Sequence, residues 1–288
     1  MSLFQLSQRI SLITLSLALT FSIQAEIINK QEDREPEAAT GVIQKQAVTS
    51  KEFMIAAANP YASEAGFNIL KKGGSAIDAA IAVQLVLTLV EPQSSGIGGG
   101  AFILHWDKKQ KFLTTFDGRE TAPKAATSEL FLDENGNSIS WIKAVVGGRS
   151  VGVPGVLSAL KKAHEQYGKL AWSELFVDAI ALAEQGFIVS PRLEKLVGMQ
   201  FNPGISQLPE IKKYFFPNNV AIKAGDRLKN KKLAAVYRSL AKEGLKPFYH
   251  GWIAKKIIDA VQNSTIAPGK LTLQDLAHYK PKQRPAVC

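Results

Sequence analysis

The stretch "LVEPQSSGIGGGAF", residues 89–102, places four glycines after a Glu-Pro break at the end of an apolar run. Because glycine has no side chain, such a cluster lets the backbone come close to a ligand or to another part of the chain. A phosphate-binding loop needs Gly-Lys-Ser or Gly-Lys-Thr here, but Ala101 and Phe102 follow the glycines. A dinucleotide-binding fingerprint follows a strand and opens a helix, whereas the pattern here predicts the reverse order. Nucleotide binding is therefore not expected.

Two helices are predicted before the glycines. Asn59 and Pro60 are typical of an N-cap and a first helical position, and Gly73 with Gly74 ends that helix. Ser75 and Asp78 have the spacing of a capping box, so a second helix begins at once. Its sequence, "AAIAVQLVLTLV", is apolar on nearly every side, which predicts a buried central helix.

A β-hairpin is predicted after the glycines. The β-rich runs "AFILHW" (101–106) and "KFLTTF" (111–116) are separated by "DKKQ". The apolar stretch "KEFMIAAA" (51–58) is a further candidate strand. Two buried helices followed by a hairpin indicate a helical layer on a sheet, the arrangement of an α+β or α/β sandwich.

The sequence after the hairpin predicts turns and helices. Residues 133–137, "DENGN", predict a turn, and "GGRSVGVPG" (147–155) predicts a corner leading into the helix "GVLSALKKAHEQYG". Further helices are expected at roughly 172–186, 231–243, 251–262 and 271–279, the last with Thr272 and Asp275 as a capping box. The closing residues "PKQRPAVC" have no pattern that indicates a further helix or strand after the last helix, so we expect the domain to be interrupted there.

The composition is that of a soluble globular protein with a formal charge of +10. The basic residues stand in scattered pairs with acids nearby, as on solvated helix faces, so nucleic-acid binding is not expected. These pairs are Lys71–Lys72, Lys161–Lys162, Lys212–Lys213 and Lys231–Lys232. The single cysteine, Cys288, excludes a disulfide within the chain, and the four histidines share no metal-ligand spacing. No metal site is expected.

The N-terminus has the pattern of a signal peptide. Arg9 precedes an apolar run from Ile10 to Ile23, and "SIQA" then precedes Glu26. The run is short for a membrane span, which needs about 20 residues. We therefore predict a signal peptide at 1–25, a flexible leader at 26–50, one domain at 51–288, and a periplasmic or secreted protein. A buried N-terminal helix is the alternative.

Several blocks in this order resemble the large-subunit region of the γ-glutamyltranspeptidases. The most specific is "EPQSSGIGGG", and it is joined by "FDGRETAP", "SVGVPG", "AEQGFIVS" and "LTLQDLAHYK" over most of residues 53–280. The resemblance implies an exported N-terminal-nucleophile hydrolase with stacked αββα layers, of which this chain holds part. It also implies a precursor that cleaves itself, so that a small subunit begins with the catalytic Thr. That enzyme takes the γ-glutamyl group of glutathione or related amides and needs no cofactor.

Arg119 is the candidate substrate-binding residue. The block "DGRETAP" reproduces the family pattern in which this Arg holds the α-carboxylate of the γ-glutamyl substrate. A planar guanidinium suits that task because it pairs with a carboxylate through two parallel hydrogen bonds. The alternative is a structural ion pair with Asp117 or Glu120. These two carboxylates lie on opposite faces of an extended segment, so they are expected to orient Arg119 or to face solvent.

No catalytic residue is predicted in this chain. Thr114 and Thr115 precede Phe116 inside a predicted strand, and the family's cleavage sequence, consecutive threonines followed by His, is absent from the sequence. His105 reads as a partly buried sheet residue, and Ser94 and Ser95 have no recognisable partners. We therefore expect a γ-glutamyl transferase or hydrolase that is inactive without a small subunit. The alternatives are a truncated non-catalytic homologue and a relative of the acylases that remove side chains from β-lactams.

Overall fold

The central features of the fold are a buried helix and the β-hairpin that follows it. The computed structural model describes residues 46–286. The predicted signal peptide and nearly all of the predicted leader lie outside the described residues. The helices are α1 (Pro60–Lys71), α2 (Ala76–Val90), α3 (Trp141–Val145), α4 (Val156–Tyr167), α5 (Val177–Gln185), α6 (Pro191–Gly198), α7 (Pro209–Phe215), α8 (Lys231–Glu243), α9 (Lys246–Tyr249), α10 (Trp252–Gln262) and α11 (Leu273–His278). The strands are β1 (Phe102–Asp107), β2 (Phe112–Asp117), β3 (Phe187–Ile188), β4 (Arg227–Leu228) and β5 (Lys282–Pro285).

The predicted helix starts are confirmed by their caps. The Asn59 side chain accepts a hydrogen bond from the backbone of Tyr61 at the start of α1. Ser75 and Asp78 form a complete capping box at the start of α2, and Thr272 and Asp275 form another at α11. Each cap satisfies backbone N–H groups that have no partner within the first turn.

Helix α2 is the centre of the helical layer. It packs against α1, α4 and α5 and is buried on most of its circumference, as its apolar sequence predicts. Tyr237 of α8 reaches this core, where it is fully buried and donates a hydrogen bond of 2.8 Å to the carbonyl of Leu85. Burial raises the pKa of Tyr237, so its hydroxyl remains a donor.

The sheet that carries the site has three antiparallel strands in the order β1-β2-β5. Its inner face packs on the helices, with Phe116 of β2 only 1% exposed. Its outer face is open, since Phe102, Leu104 and Trp106 of β1 are 62%, 68% and 58% exposed. In the described part of the chain, therefore, a helical layer covers one side of the β1-β2-β5 sheet, and β3 and β4 form a separate two-stranded sheet. This is an α+β arrangement, as the sequence predicts.

The expectation that no element follows the last helix was wrong. Strand β5 comes after α11 and pairs with β2, with Thr115 opposite Arg284. All four of its residues are exposed and it has no apolar alternation, so its sequence gives no strand signal. It is held by its backbone and by polar contacts: the Thr115 hydroxyl donates to the carbonyl of Arg284 at 2.7 Å.

The candidate strand at 51–58 was also wrong. Among the described residues, this segment has no paired neighbour and runs without regular structure to the start of α1. Its apolar residues instead pack on α1: the Phe53 ring lies 5.5 Å from that of Phe67, and Ile55 fills the space beside Gly66. Apolar content alone does not make a strand where no partner strand is adjacent.

Two of the lysine pairs that are separate in the sequence come together in the fold. Lys213 of α7 and Lys231 with Lys232 of α8 line one groove of about 710 Å³. Glu210 lines the same groove and pairs with Lys232. Within residues 46–286, no helix combines the length and the apolar character needed to cross a bilayer.

Candidate functional site

Arg119 lies directly after β2, on a backbone that is held at both of its polar groups. Its N–H donates to Oδ1 of Asp117, the last residue of β2, at 2.9 Å. Its carbonyl accepts a hydrogen bond of 2.8 Å from the hydroxyl of Tyr279, which follows α11. The main chain of Arg119 is therefore fixed by a strand on one side and by a helix end on the other.

The side chain of Arg119 is open to solvent. It is 72% exposed, and Nε lies 3.4 Å from Oε2 of Glu120. Among the described residues, this is the guanidinium's only ion pair. Exposed pairs of this kind are worth at most about 1 kcal/mol, so an incoming carboxylate could readily take its place. A fork of N–H donors on a fixed backbone is suited to bidentate carboxylate binding.

Asp117 is held as a carboxylate. The backbone N–H of Arg119 lowers the pKa of Asp117, and the Arg284 guanidinium lowers it further through a 2.9 Å contact with Oδ2. Hydrogen bonds to the charged form favour ionisation, so Asp117 has no proton to donate near neutral pH. Its role is to orient the turn after β2 through the Arg119 backbone N–H, whereas Glu120 contacts the guanidinium of Arg119.

The glycine loop packs against this turn. A Cβ at Gly100 would lie 2.5 Å from Oε2 of Glu120 and 2.8 Å from the carbonyl of Gly118. Ala101 and Gly118 exchange two backbone hydrogen bonds, of 2.9 and 3.3 Å. The absence of a side chain at Gly100 therefore lets two backbone segments and a carboxylate meet. The part of the chain that the glycine loop approaches is thus the turn that carries Arg119.

The corner "SVGVPG" closes the other side of the loop. The backbone N–H groups of Gly155 and Val156, at the start of α4, donate to the carbonyl of Gly99 at 3.0 and 3.1 Å. A Cβ at Gly155 would overlap the hydroxyl of Tyr279 and the carbonyl of Gly118. Gly155 therefore leaves the space through which Tyr279 reaches Arg119.

The start of the glycine loop is anchored by a buried carboxylate. Glu91 is 2% exposed and forms an ion pair with Arg192 of α6. It also accepts hydrogen bonds from the side-chain amides of Asn59, at 2.8 Å, and Gln93. This cluster ties the start of α1, the end of α2 and the start of α6 to one point.

The other polar residues considered from the sequence lie in the sheet or the loop. His105 stacks on Tyr167 with ring centroids 4.0 Å apart, and Thr114 is 2% exposed with its hydroxyl 3.0 Å from that of Tyr167. Ser95 accepts a hydrogen bond from Gln84 at 2.7 Å. The structure places none of these side chains in contact with the Arg119 side chain, and we interpret them as packing residues.

Sequence reasoning missed two residues at the Arg119 turn, Tyr279 and Arg284, and one at the start of the glycine loop, Arg192. Tyr279 falls in the block "LTLQDLAHYK", so that block held a signal for it, although not for its contact. Arg284 lies in a strand without a sequence pattern, and Arg192 lies beyond the end of "AEQGFIVS". Each contact joins residues that are 101 to 167 positions apart, which spacing within one block does not reveal.

Four of the five blocks that resemble one family thus meet around one exposed arginine. The family model described as gamma-glutamyltranspeptidase matches residues 62–288. This chain belongs to the γ-glutamyltranspeptidase family. The match covers Glu91 with Arg192, the glycine loop, Arg119 and Tyr279.

Curated relatives agree with this assignment. The glutathione hydrolase proenzyme of Bacillus subtilis (strain 168) is 41% identical over 235 residues, covering 82% of this chain and 39% of the relative. The glutathione hydrolase proenzyme of Escherichia coli (strain K12) is 34% identical over 243 residues, covering 83% and 40%. The chain therefore spans about two fifths of the length of these curated relatives.

Solved structures support the fold. The γ-glutamyltranspeptidase of Helicobacter pylori superimposes with a TM-score of 0.79 at 32% identity, covering 84% of this chain and 68% of that one. The cephalosporin acylase of Bacillus halodurans gives 0.68 at 31% identity, covering 84% and 46%. The fold is that of the N-terminal-nucleophile hydrolases, as the resemblance implied.

Proposed function

We propose that this chain is the large-subunit part of an enzyme that hydrolyses or transfers the γ-glutamyl group of glutathione and related γ-glutamyl amides. The observation that carries the proposal is the exposed guanidinium of Arg119 on a backbone held at both of its polar groups. Family membership and the similarity to glutathione hydrolases support this substrate class.

In this proposal Arg119 binds the α-carboxylate of the γ-glutamyl group. Two parallel hydrogen bonds from the guanidinium fix the orientation of the substrate as well as its position. The γ-carbonyl is then directed towards the nucleophile, so Arg119 contributes by orientation and not by bond making. Asp117 holds the backbone N–H of Arg119 and Glu120 pairs with its guanidinium at the end of β2.

The nucleophile is proposed to be the N-terminal Thr of a separate small subunit. Its hydroxyl attacks the γ-carbonyl while its own α-amine takes the proton, and that proton passes to the leaving amine. The resulting γ-glutamyl ester is then cleaved by water or by the amine of an acceptor, which restores the Thr hydroxyl. Because the sequence lacks the threonine cleavage segment, the chain alone should be inactive.

The open face of the sheet is the proposed contact with that subunit. Phe102, Leu104 and Trp106 project from β1 on this face, and Phe102 is paired with Asp117, two residues from Arg119. Exposed apolar surface of this kind marks interaction sites in soluble proteins. A subunit seated there would lie beside Arg119, as a shared substrate site requires.

The test is release of aniline from a γ-glutamyl anilide. The chain alone should release none. The chain produced together with the portion of the Bacillus subtilis proenzyme that it does not match should be active, and Arg119→Ala should lower kcat/KM by about 100-fold, the loss of a bidentate charged contact. Turnover by the chain alone would place the nucleophile in it. Full activity of Arg119→Ala in the complex would reject its role.

An acylase acting on β-lactam side chains is the second candidate, favoured by the similarity to the cephalosporin acylase. A glutaryl group has a terminal carboxylate that Arg119 could bind, but it lacks the α-amine of a γ-glutamyl group. The same complex should therefore be assayed with glutaryl and γ-glutamyl anilides. Preference for the glutaryl compound would favour the acylase.

A non-catalytic homologue is the third candidate, and the open apolar face bears on it. A chain that folds by itself as a binding module should be a soluble monomer with one cooperative unfolding transition. A chain that needs its partner should bind ANS through the exposed face and aggregate.

We also propose that the protein is exported to the periplasm or secreted. The support is the signal-peptide pattern of residues 1–25, which lie outside the described part of the structure. N-terminal sequencing of the exported protein should begin near Glu26. Recovery of the intact Met1 terminus from the cytoplasm would reject export.

A further inference from the structure

Tyr279 is the residue through which the last helix contacts the proposed substrate site. Its hydroxyl donates to the carbonyl of Arg119 at 2.8 Å. Its ring stacks on Tyr249, with centroids 6.1 Å apart and planes 10° from parallel. Tyr249 donates in turn to the carbonyl of Pro154 at 2.9 Å. The two tyrosines thus make equivalent bonds to two carbonyls, and only one of these belongs to the arginine.

The surrounding chain leaves little freedom to this contact. Gly155 has no Cβ, and the Tyr279 hydroxyl occupies the space that a Cβ would fill. The helix that precedes Tyr279 is fixed by the capping box of Thr272 and Asp275, and Oδ1 of Asp275 accepts the backbone N–H of Lys124 at 2.9 Å. The segment from Arg119 to Lys124 is therefore held at Arg119 by Tyr279 and at Lys124 by Asp275 of α11.

We propose that Tyr279 is a positioning residue for Arg119. Its hydroxyl fixes the Arg119 carbonyl, and the main chain then sets the direction in which the guanidinium leaves the sheet. This inference rests on the proposed function, in which Arg119 binds the substrate carboxylate. Such a device is needed because the arginine side chain is 72% exposed, so little packing holds it. Sites lose efficiency when a supporting contact leaves a binding group loosely placed.

The protonation of Tyr279 suits this task. Burial raises the pKa of Tyr279 to about 12, and the negative charges of Asp117 and Glu120 raise it as well. The hydroxyl therefore keeps its proton, and remains a donor to the carbonyl, through neutral and moderately alkaline pH.

The test compares Tyr279→Phe with Tyr249→Phe in the full chain. Each change removes one hydroxyl, keeps the stacked ring and loses one bond to a carbonyl; Tyr249 is the more buried of the two, so exchange is compared with that of α2 in each variant. Hydrogen exchange of the Arg119 and Glu120 amides is measured by NMR relative to amides of α2. We expect about fivefold faster exchange in Tyr279→Phe, as for loss of one hydrogen bond, and no change in Tyr249→Phe. Equal exchange rates in the two variants would overturn the proposal.

A second measurement separates this inference from the proposed function. The Nε–Hε signal of Arg119, assigned with Arg119→Lys, is followed during titration with L-glutamate. Weaker binding by about fivefold in Tyr279→Phe alone supports both ideas. Absence of any shift in the unmodified chain would count against the carboxylate role of Arg119, while the exchange data would still decide the role of Tyr279.

Discussion

Arg192 of α6 forms an ion pair with Glu91, whose side chain is 3% exposed. Glu91 lies where α2 ends and the glycine loop begins. The two residues are 101 positions apart in the sequence. Asn59 and Gln93 supply further hydrogen bonds to the same carboxylate. A buried charge is tolerated only with such partners, so the geometry of the loop depends on α6.

Arg192→Ala should destabilise the protein by about 3 kcal/mol, because it leaves the Glu91 carboxylate buried with fewer partners. Thermal or urea unfolding followed by circular dichroism measures the change. The matched control is Arg238→Ala, which removes a partner of Glu184 from a pair that is 51% and 39% exposed. Exposed pairs contribute at most about 1 kcal/mol, so equal losses in the two variants would contradict the assignment of Glu91 as the anchor.

Gly100→Ala should destabilise the protein by about 1–3 kcal/mol, because the added Cβ would meet Glu120 and the carbonyl of Gly118 at 2.5 and 2.8 Å. It should also displace Glu120 and weaken glutamate binding at Arg119. Gly98→Ala is the control, since nothing lies within 4 Å of a Cβ at that position. The control should change the free energy of unfolding by no more than about 0.5 kcal/mol. If both variants behave alike, the loop does not need a bare backbone at Gly100.

The elements that could be predicted from the sequence are those determined locally. The caps at Asn59, Ser75 and Thr272 each act within one turn of their helix, so a few adjacent letters identify the start. The hairpin follows in the same way from two β-rich runs and a polar turn. Arg119 was singled out because its block resembles a known family, and composition or spacing alone did not favour it over a structural ion pair.

The contacts that could not be predicted are those made at long range. The bond between Tyr279 and the Arg119 carbonyl spans 160 positions, and that between Arg284 and Asp117 spans 167. The sequence of strand β5 has no apolar alternation that would indicate a strand, because its pairing depends on backbone groups and on the contact between Arg284 and Asp117. Likewise, Lys213 and Lys231 share a groove although their pairs are separate in the sequence.

The pKa of Asp117 should lie below its usual value of about 3.9, chiefly because the Arg119 N–H binds the carboxylate and also because of Arg284. A carboxyl whose folded pKa is depressed stabilises the fold above its unfolded pKa, and the contribution is lost as pH falls through the folded pKa. Its side-chain carbon, followed by NMR against pH, gives the value. Arg284→Met should raise the pKa part of the way, and Lys282→Met should raise it less. A pKa at or above the usual value would contradict the geometry.

The open face of the sheet gives a prediction about two neighbouring residues. Leu104 is 68% exposed on the outer face, whereas Ile103, the residue before it, packs on the core from the inner face. Leu104→Thr should change the free energy of unfolding by less than about 0.5 kcal/mol, lower ANS binding and weaken association with a small subunit. Ile103→Thr should cost about 1–3 kcal/mol, because it places a hydroxyl against apolar side chains. If Leu104→Thr were as destabilising as Ile103→Thr, the outer face would already be covered in solution, and a second copy of the chain would be the first candidate to test by its concentration dependence.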